Sequence, residues 1–291
     1  MSTSVEGLVL STAPATAPKV RDCDLLAKFE IDNIPEEYRQ YYAAKRNNFF
    51  ASVQNFPDLW RYYILLDGIW MREFADLELS SDPDRTFPLL LYFNAHAKVR
   101  VAMELAFSGC MAEARSVLRD AIEFVAHAHT MLNDAELQKT WLNKNDGKAA
   151  VEEFKDAFER QKKEGVFKGL ADLHRVWGEL SETGSHANLN AMCDRFVHVT
   201  SDDHVEFRLN YTGLESRTWY LSLFSMLLTC FTMEQTLFND YDARLKLDDG
   251  LRRMRDEFEV FKEQLREDTK ARYKLRPPSG VHVPRPTIVR P

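Results

Sequence analysis

The feature that most constrains the fold is a long stretch without proline. All 11 prolines of the 291-residue chain lie outside residues 89–276. Proline removes a backbone donor and clashes with the preceding helical turn, so its absence favours long helices. Within this stretch, Ala114, Leu118, Ala121, Ile122 and Val125 follow the three-four spacing of one helix face. The spacing predicts a mostly α-helical bundle of seven to nine helices, with short loops between antiparallel neighbours.

Helix boundaries can be predicted from local signals. Pro35 and Pro57 each precede acidic residues, which is typical of a first helical turn. We expect a loop over 80–88 and further long helices over 89–107, 111–132, 215–245 and 248–273. The segment 148–164 is charged on most sides, which predicts a helix on the surface.

One segment departs from the helical pattern. In "RFVHVTSDDHVEFRLNY", residues 195–211, apolar and polar residues alternate on both sides of "SDDH". Alternation is typical of strands, and Ser and Asp are turn residues. The pattern predicts a β-hairpin insertion near 195–211.

The two ends of the chain differ in composition from the middle. Residues 1–22 are rich in Ser, Thr, Ala and Pro and are predicted to be disordered. Residues 23–275 are predicted to form a single helical-bundle domain. Residues 276–291 form a basic, Pro-rich C-terminal tail, for which an extended conformation is expected.

Charge and cysteine content narrow the class of protein. From residue 269 onward there are six basic residues and no acid, so removing them from the net charge of −7 leaves −13 on the body. An acidic body argues against nucleic acid as the main partner, although the basic tail leaves RNA binding open. The four cysteines are not paired at metal-site spacing, which favours reduced thiols in a cytoplasmic protein.

Membrane insertion is not expected. The most apolar window, residues 219–233, is shorter than the roughly 20 residues needed to span a bilayer. We interpret it as the buried central helix of the bundle. A protein partner or self-association is expected instead.

The first candidate site is a charged ridge on the helix over 111–132. Arg115, Arg119, Glu123 and His127 are spaced by four and therefore lie on one side of the helix. Their neighbours are apolar, so the ridge should be partly buried, and partly buried charges need partners. One interpretation is a structural Arg119–Glu123 pair beside a solvated Arg115. The other is a ridge that lines a cleft.

The second candidate is the polar stretch "GELSETGSH", residues 178–186. In an unbroken helix Arg175 and His186 would share a face, but Gly184 favours a helix end, with Ser185 capping the next helix. His186 would then lie near a helix start, where the dipole favours a neutral imidazole that can act as a base or bind phosphate. A packing histidine is the alternative. Ser181, Ser185 and His127 complete the candidate polar pocket.

Neither a metal nor a cofactor is predicted. Glu123 and His127 could share a metal ion, but no second Glu-x-x-His unit appears. His127 and His129 point in different directions on a helix. Dinucleotide, P-loop and nucleophile-elbow motifs are absent from the sequence.

Two short motifs carry a resemblance to a known family. "SVLRDAIEF" on one helix and "GELSETGSH" after a later helix resemble an uncharacterised group of bacterial and phage helical proteins, similar to the HEPN superfamily. The resemblance covers about residues 90–190 and implies a helical bundle, often with ribonuclease activity. The ribonuclease signature is Arg, then four to six intervening residues, then His, on a helix. Here only Arg276 and His282 have that spacing, and they lie in the tail.

Two functions follow as expectations. The favoured one is a helical interaction or accessory protein of a mobile-element or defence system. The alternative is a metal-independent HEPN-like endoribonuclease that uses His186 as general base, with Arg119 or Arg175 steadying phosphate charge. In either case we predict that Arg119 and Glu123 pack against the Ser181–His186 junction, with free carbonyls accepting from Arg119 and backbone or imidazole N–H groups donating to Glu123.

Overall fold

The chain folds as an all-α bundle with one pair of short strands. The computed structural model describes residues 35–77, 83–160, 165–185, 196–200, 205–209, 216–245 and 247–274. Within these ranges there are nine α-helices: α1 (Glu36–Asn55), α2 (Pro57–Asp76), α3 (Pro83–Phe107), α4 (Met111–Asn133), α5 (Ala135–Leu142), α6 (Lys148–Phe154), α7 (Ala171–Leu180), α8 (Ser216–Tyr241) and α9 (Asp249–Tyr273). The predicted helical bundle of seven to nine helices is therefore confirmed.

Residue contacts divide the chain inside α1, into Met1–Tyr42 and Ala43–Pro291. The second unit contains the core. The predicted segments 1–22 and 276–291 lie outside the described residues.

Helix α4 is the centre of the bundle. It packs along α3 and also contacts α5, α7 and α8, while α9 and α8 both pack on α2. The face spaced by three and four is completely buried at Ala114, Leu118, Ala121, Ile122 and Val125. Gly109, with φ at +82°, forms the tight turn from α3 into α4, a backbone conformation that favours glycine.

Two strands follow the helices α4–α7. Strands β1 (Phe196–Thr200) and β2 (Val205–Leu209) pair antiparallel, with Phe196 opposite Leu209 and Thr200 opposite Val205. Both lie within 195–211, where the alternating pattern predicted a hairpin. The connecting residues 201–204 are outside the described residues.

One local prediction is wrong. Helix α3 begins at Pro83, within the predicted loop over 80–88, and Pro88 lies inside the helix. The described part of the segment 148–164 lies on the surface as predicted except at the buried Phe158, and from Lys155 to Arg160 it is π-helical. Phe158 stacks on Phe154 with ring centroids 5.0 Å apart, so this stretch contributes to the core.

A salt-bridge cluster links α2 to α3. Asp67 accepts hydrogen bonds from Arg100 at 2.8 and 2.7 Å and is 2.8 Å from His96 Nε2. Burial alone would raise the pKa of Asp67, but the hydrogen bonds from His96 and Arg100 outweigh it and hold the pKa well below its usual range. The cluster therefore stabilises the fold only while Asp67 is ionised.

We expect Asp67→Asn to lower the free energy of unfolding by about 2 kcal/mol at pH 7. A depressed folded-state pKa gives stability that is present above the unfolded pKa of about 4 and lost as pH falls below it. The variant should therefore show a shallower loss of stability below pH 4 than the natural chain. Urea unfolding at several pH values measures this, with the exposed Asp256→Asn as control. Parallel acid-unfolding curves for the natural chain and Asp67→Asn would contradict it.

Candidate functional site

The charged ridge of α4 meets the C-terminal end of α7. Arg119 Nε donates to Ser181 Oγ at 2.8 Å, and Arg119 is 3.3 Å from Glu123 Oε1. Its guanidinium also lies over the indole ring of Trp177, 4.9 Å from the ring centroid. Trp177 Nε1 in turn donates to Glu123 Oε1 at 2.9 Å. The four side chains form one connected network, which we call the Arg119 network.

Ser181 is held in place by the helix end it belongs to. Helix α7 ends at Leu180, and the backbone continues as a π-helical turn over Ser181–Ser185. The Ser181 hydroxyl donates to the Trp177 carbonyl at 2.8 Å, so its oxygen lone pairs are directed toward Arg119. The side chain is buried, with 6% of its surface exposed. A buried hydroxyl of this kind is stabilised by having both a donor and an acceptor partner.

The predicted contact between ridge and junction is confirmed for Arg119 and Ser181. The chemistry of the Arg119 contact differs from the prediction, because Arg119 donates to the hydroxyl of Ser181, where free carbonyls were expected. Glu123 accepts the indole N–H of Trp177, while His186, one of its predicted donors, lies outside the described residues. Gly184 was predicted to end the helix, but α7 passes into a π-helical turn before it. The polar stretch 178–186 is therefore polar at Ser181 because this residue faces the charged ridge.

The remaining candidates lie elsewhere or outside the described residues. Arg175 forms an exposed ion pair with Glu179 at 2.7 Å and lines a surface groove with residues of α8 and α9. His186 is outside the described residues, and of Ser185 only the backbone is described. Arg115, expected to be solvated, is partly buried and donates to Ser222 Oγ at 3.4 Å.

His127 packs against aromatic rings. Trp141 Nε1 donates to His127 Nδ1 at 3.3 Å, and the Phe158 ring lies 5.0 Å from the imidazole. Because an indole can only donate, Nδ1 is the acceptor nitrogen. These contacts favour a packing role. In the part of the chain that the structure describes, no three His, Cys, Asp or Glu side chains are grouped to hold a metal ion.

A second polar arrangement was missed by sequence reasoning. His129 Nδ1 lies 2.9 and 3.1 Å from the two carboxylate oxygens of Asp240 on α8. The Tyr92 hydroxyl of α3 donates to Asp240 Oδ2 at 2.5 Å. Burial, and then the neighbouring Asp240 carboxylate, raise the pKa of Tyr92 well above its usual value, so the phenol stays protonated and donates. Three helices thus position one imidazole.

The other side of the His129 ring faces a cavity. A pocket of about 340 Å³ is lined by His129, Asn133, Asp134 and the loop that carries Lys168 and Gly169. A Cβ atom at Gly169 would lie 3.7 Å from His129 Nε2, and Gly169 has φ at +83°. The positive φ therefore favours glycine here, while 3.7 Å is an ordinary van der Waals distance.

Distance along the chain explains why this arrangement was missed. His129 and Asp240 are separated by 111 residues, and Tyr92 and Asp240 by 148. Neither pair has a spacing that local periodicity can detect. The only signal in the sequence is that "FVAHAH" places a second histidine, on a different face of α4 from the ridge, among apolar residues.

Comparisons with known proteins found no similar protein. No family model, no curated protein and no solved structure matches this chain.

One helical stretch among the described residues, Ser216–Arg244, is long and apolar enough to cross a membrane. In its most apolar window 56% is buried inside the fold, and buried core helices of this length also meet the same criteria. Its side chains contribute Leu223, Leu227, Met233 and Leu237 to the core. This supports the interpretation of the segment as a central helix of the bundle.

Proposed function

We propose that this chain is a helical interaction or accessory protein that acts by binding another protein or a second copy of itself. The resemblance of its two motifs to HEPN-like helical proteins suggests a mobile-element or defence system, and a cytoplasmic location fits the reduced cysteines. The observation that carries the proposal is the mutual binding of Arg119 and Glu123, together with Ser181 and Trp177, in the Arg119 network. The ridge side chains that a nuclease would need for phosphate bind one another.

The guanidinium of Arg119 is engaged on several sides. Arg119 directs Nε to Ser181, one terminal nitrogen to Glu123 and its flat face to Trp177. Only 21% of the Arg119 side chain and 28% of the Glu123 side chain are exposed. To bind a phosphate, Arg119 would have to leave a charged partner and an aromatic face, which together stabilise it by roughly 1–3 kcal/mol. This favours a structural role for the ridge.

The alternative function is the metal-independent endoribonuclease with His186 as general base. Arg175, its second proposed phosphate ligand, is paired with Glu179 at the surface. The net charge of −7 also opposes the binding of a polyanion. The basic tail remains the part of the chain best suited to RNA.

Two measurements on the purified full chain separate these functions. Sedimentation velocity over a wide concentration range reports self-association, and incubation with mixed RNAs in the presence of a chelator reports metal-independent cleavage. We expect no cleavage above that of the His186→Ala variant. Cleavage by the natural chain that disappears in both His186→Ala and Arg119→Lys would overturn the proposal in favour of the nuclease.

The interaction itself needs its own readout. We expect either a concentration-dependent dimer or, in the native host, a stoichiometric complex with one protein that survives purification. A chain that remains monomeric at all concentrations and forms no such complex would also contradict the proposal.

A further inference from the structure

The His129 pocket has an arrangement that the Arg119 network lacks, namely an oriented imidazole with a nitrogen left over. Among the described residues, nothing donates to or accepts from His129 Nε2. Nδ1 is held by Asp240, whose side chain is 9% exposed. The imidazole side chain is 23% exposed, so it can be reached from solvent.

The partners of His129 fix its tautomer. An ionised carboxylate can only accept hydrogen bonds, and Asp240 already receives the Tyr92 hydroxyl. Nδ1 must therefore carry the hydrogen, and in the neutral imidazole the lone pair is on Nε2. A carboxylate behind the ring also stabilises the imidazolium that forms when Nε2 takes up a proton. The ring is thus prepared to accept a proton from a group inside the pocket.

The pocket has a volume of about 340 Å³, and its lining includes one lysine. Lys168 is exposed, and it precedes Gly169, whose position lies beside His129 Nε2. Asp134 also lines the pocket, but its carboxylate caps α5 by accepting from the Glu136 and Leu137 backbone N–H groups at 3.0 and 3.1 Å. Its charge is therefore partly compensated by the helix start.

We propose that the His129 pocket is a hydrolytic site in which His129 acts as general base toward water, on a small ester that carries a negative charge. Asp240 and Tyr92 are positioning residues, because they act through the imidazole. Lys168 attracts the anionic group of the substrate. The site is independent of the Arg119 network and goes beyond the interaction function.

The hydrolysis needs only water and the imidazole. Nε2 takes one proton from a water molecule while the water oxygen bonds to the ester carbonyl carbon. The carbon–oxygen bond to the leaving group then breaks, and the leaving oxygen takes the proton back from Nε2 or departs as a stabilised phenolate. The products are a carboxylic acid and an alcohol or phenol, and the imidazole returns to its neutral form once it has released the proton.

The test uses the full chain and two chromogenic acetate esters. One is anionic, 2-nitro-4-carboxyphenyl acetate, and the other is neutral, 4-nitrophenyl acetate. For the anionic ester we expect kcat/KM at least about 100-fold above that of His129→Gln, in line with general-base catalysis. Lys168→Ala should lower kcat/KM about fivefold for the anionic ester, mainly by raising KM. Its kcat/KM for the neutral ester should equal that of the natural chain. Lys148→Ala, another exposed lysine, is the control.

A second measurement tests whether Asp240 positions the His129 imidazole or only stabilises the fold. In Asp240→Asn the side-chain amide can donate to His129 Nδ1, so the imidazole should change to the tautomer with hydrogen on Nε2. This change is visible in ¹⁵N NMR spectra, and the hydrolysis rate should fall about 100-fold. Asp242→Asn, a neighbouring exposed aspartate, should change neither. A natural chain no faster than His129→Gln, or an unchanged tautomer with an unchanged rate in folded Asp240→Asn, would overturn the proposal.

Discussion

Arg255→Met is expected to lower the free energy of unfolding by roughly 3–5 kcal/mol. Arg255 on α9 contacts the side-chain carboxyl groups of Glu73 of α2 and Glu234 of α8, and both are almost completely buried. Methionine approximates the apolar stem of arginine but leaves the buried Glu234 carboxylate without its cation. Removing one partner from a buried ionic group costs more than the group contributed when complete, because the remaining charge stays out of water.

Denaturant unfolding of Arg255→Met beside Arg253→Met measures this loss. Arg253 is an exposed arginine of the same helix, so its replacement should cost less than about 0.5 kcal/mol. Adding Glu73→Gln to Arg255→Met should change the stability little further at pH 7, since burial raises the pKa of Glu73 to about 10 and its carboxyl already holds a proton. Equal losses in the two single variants would show that the cluster contributes nothing to stability.

The second large effect concerns Glu73, whose titration should lower the free energy of unfolding as pH rises. Burial, and then the neighbouring Glu234 carboxylate, raise the pKa of Glu73 to about 10 in spite of Arg255. In the unfolded chain a glutamate titrates near pH 4.3, roughly its ordinary value. Between these two values the folded chain holds a proton that the unfolded chain does not, so stability must decrease as pH rises.

We therefore expect the natural chain to lose several kcal/mol of stability between pH 5 and pH 9, at up to about 1.4 kcal/mol per pH unit. Glu73→Gln keeps the shape of the protonated side chain without a titrating group. Its stability should change much less over the same range, so that it equals or exceeds the natural chain at pH 9. A Glu73→Gln curve parallel to that of the natural chain would refute this assignment.

The sequence predicts the helices well where burial and periodicity agree. The positions spaced by three and four on α4 are those that the bundle buries, because α4 has neighbours on most sides and its polar ridge is narrow. The start of α3 was not predictable in the same way. Proline signals a loop in local sequence, yet Pro83 begins the helix and Pro88 lies within its second turn. Tertiary packing of the buried Leu89 and Tyr92 outweighs the local preference.

The candidate site was predictable only where its residues share one helix. The four-residue spacing of the ridge predicted the Arg119–Glu123 pair. Buried charges need partners, and this predicted the contact with Ser181. By contrast, the His129–Asp240 pair joins helices distant in sequence, and so does the Glu73–Glu234–Arg255 cluster. Such groups depend on the order in which helices pack, which local spacing does not contain.

Polar side chains of α4 bind those of α7 and of the π-helical turn that follows it, and these contacts hold the two helices together. A double-mutant cycle with Arg119→Met and Ser181→Ala tests it most directly, because the cycle cancels the contact of Arg119 with Trp177 and isolates the 2.8 Å hydrogen bond. Unfolding free energies of the natural chain, both single variants and the double variant should give a coupling of about 1–2 kcal/mol, the range for a partly buried hydrogen bond to a charged group. Losses that add to within about 0.3 kcal/mol would contradict the claim and leave Arg119 free to bind something else.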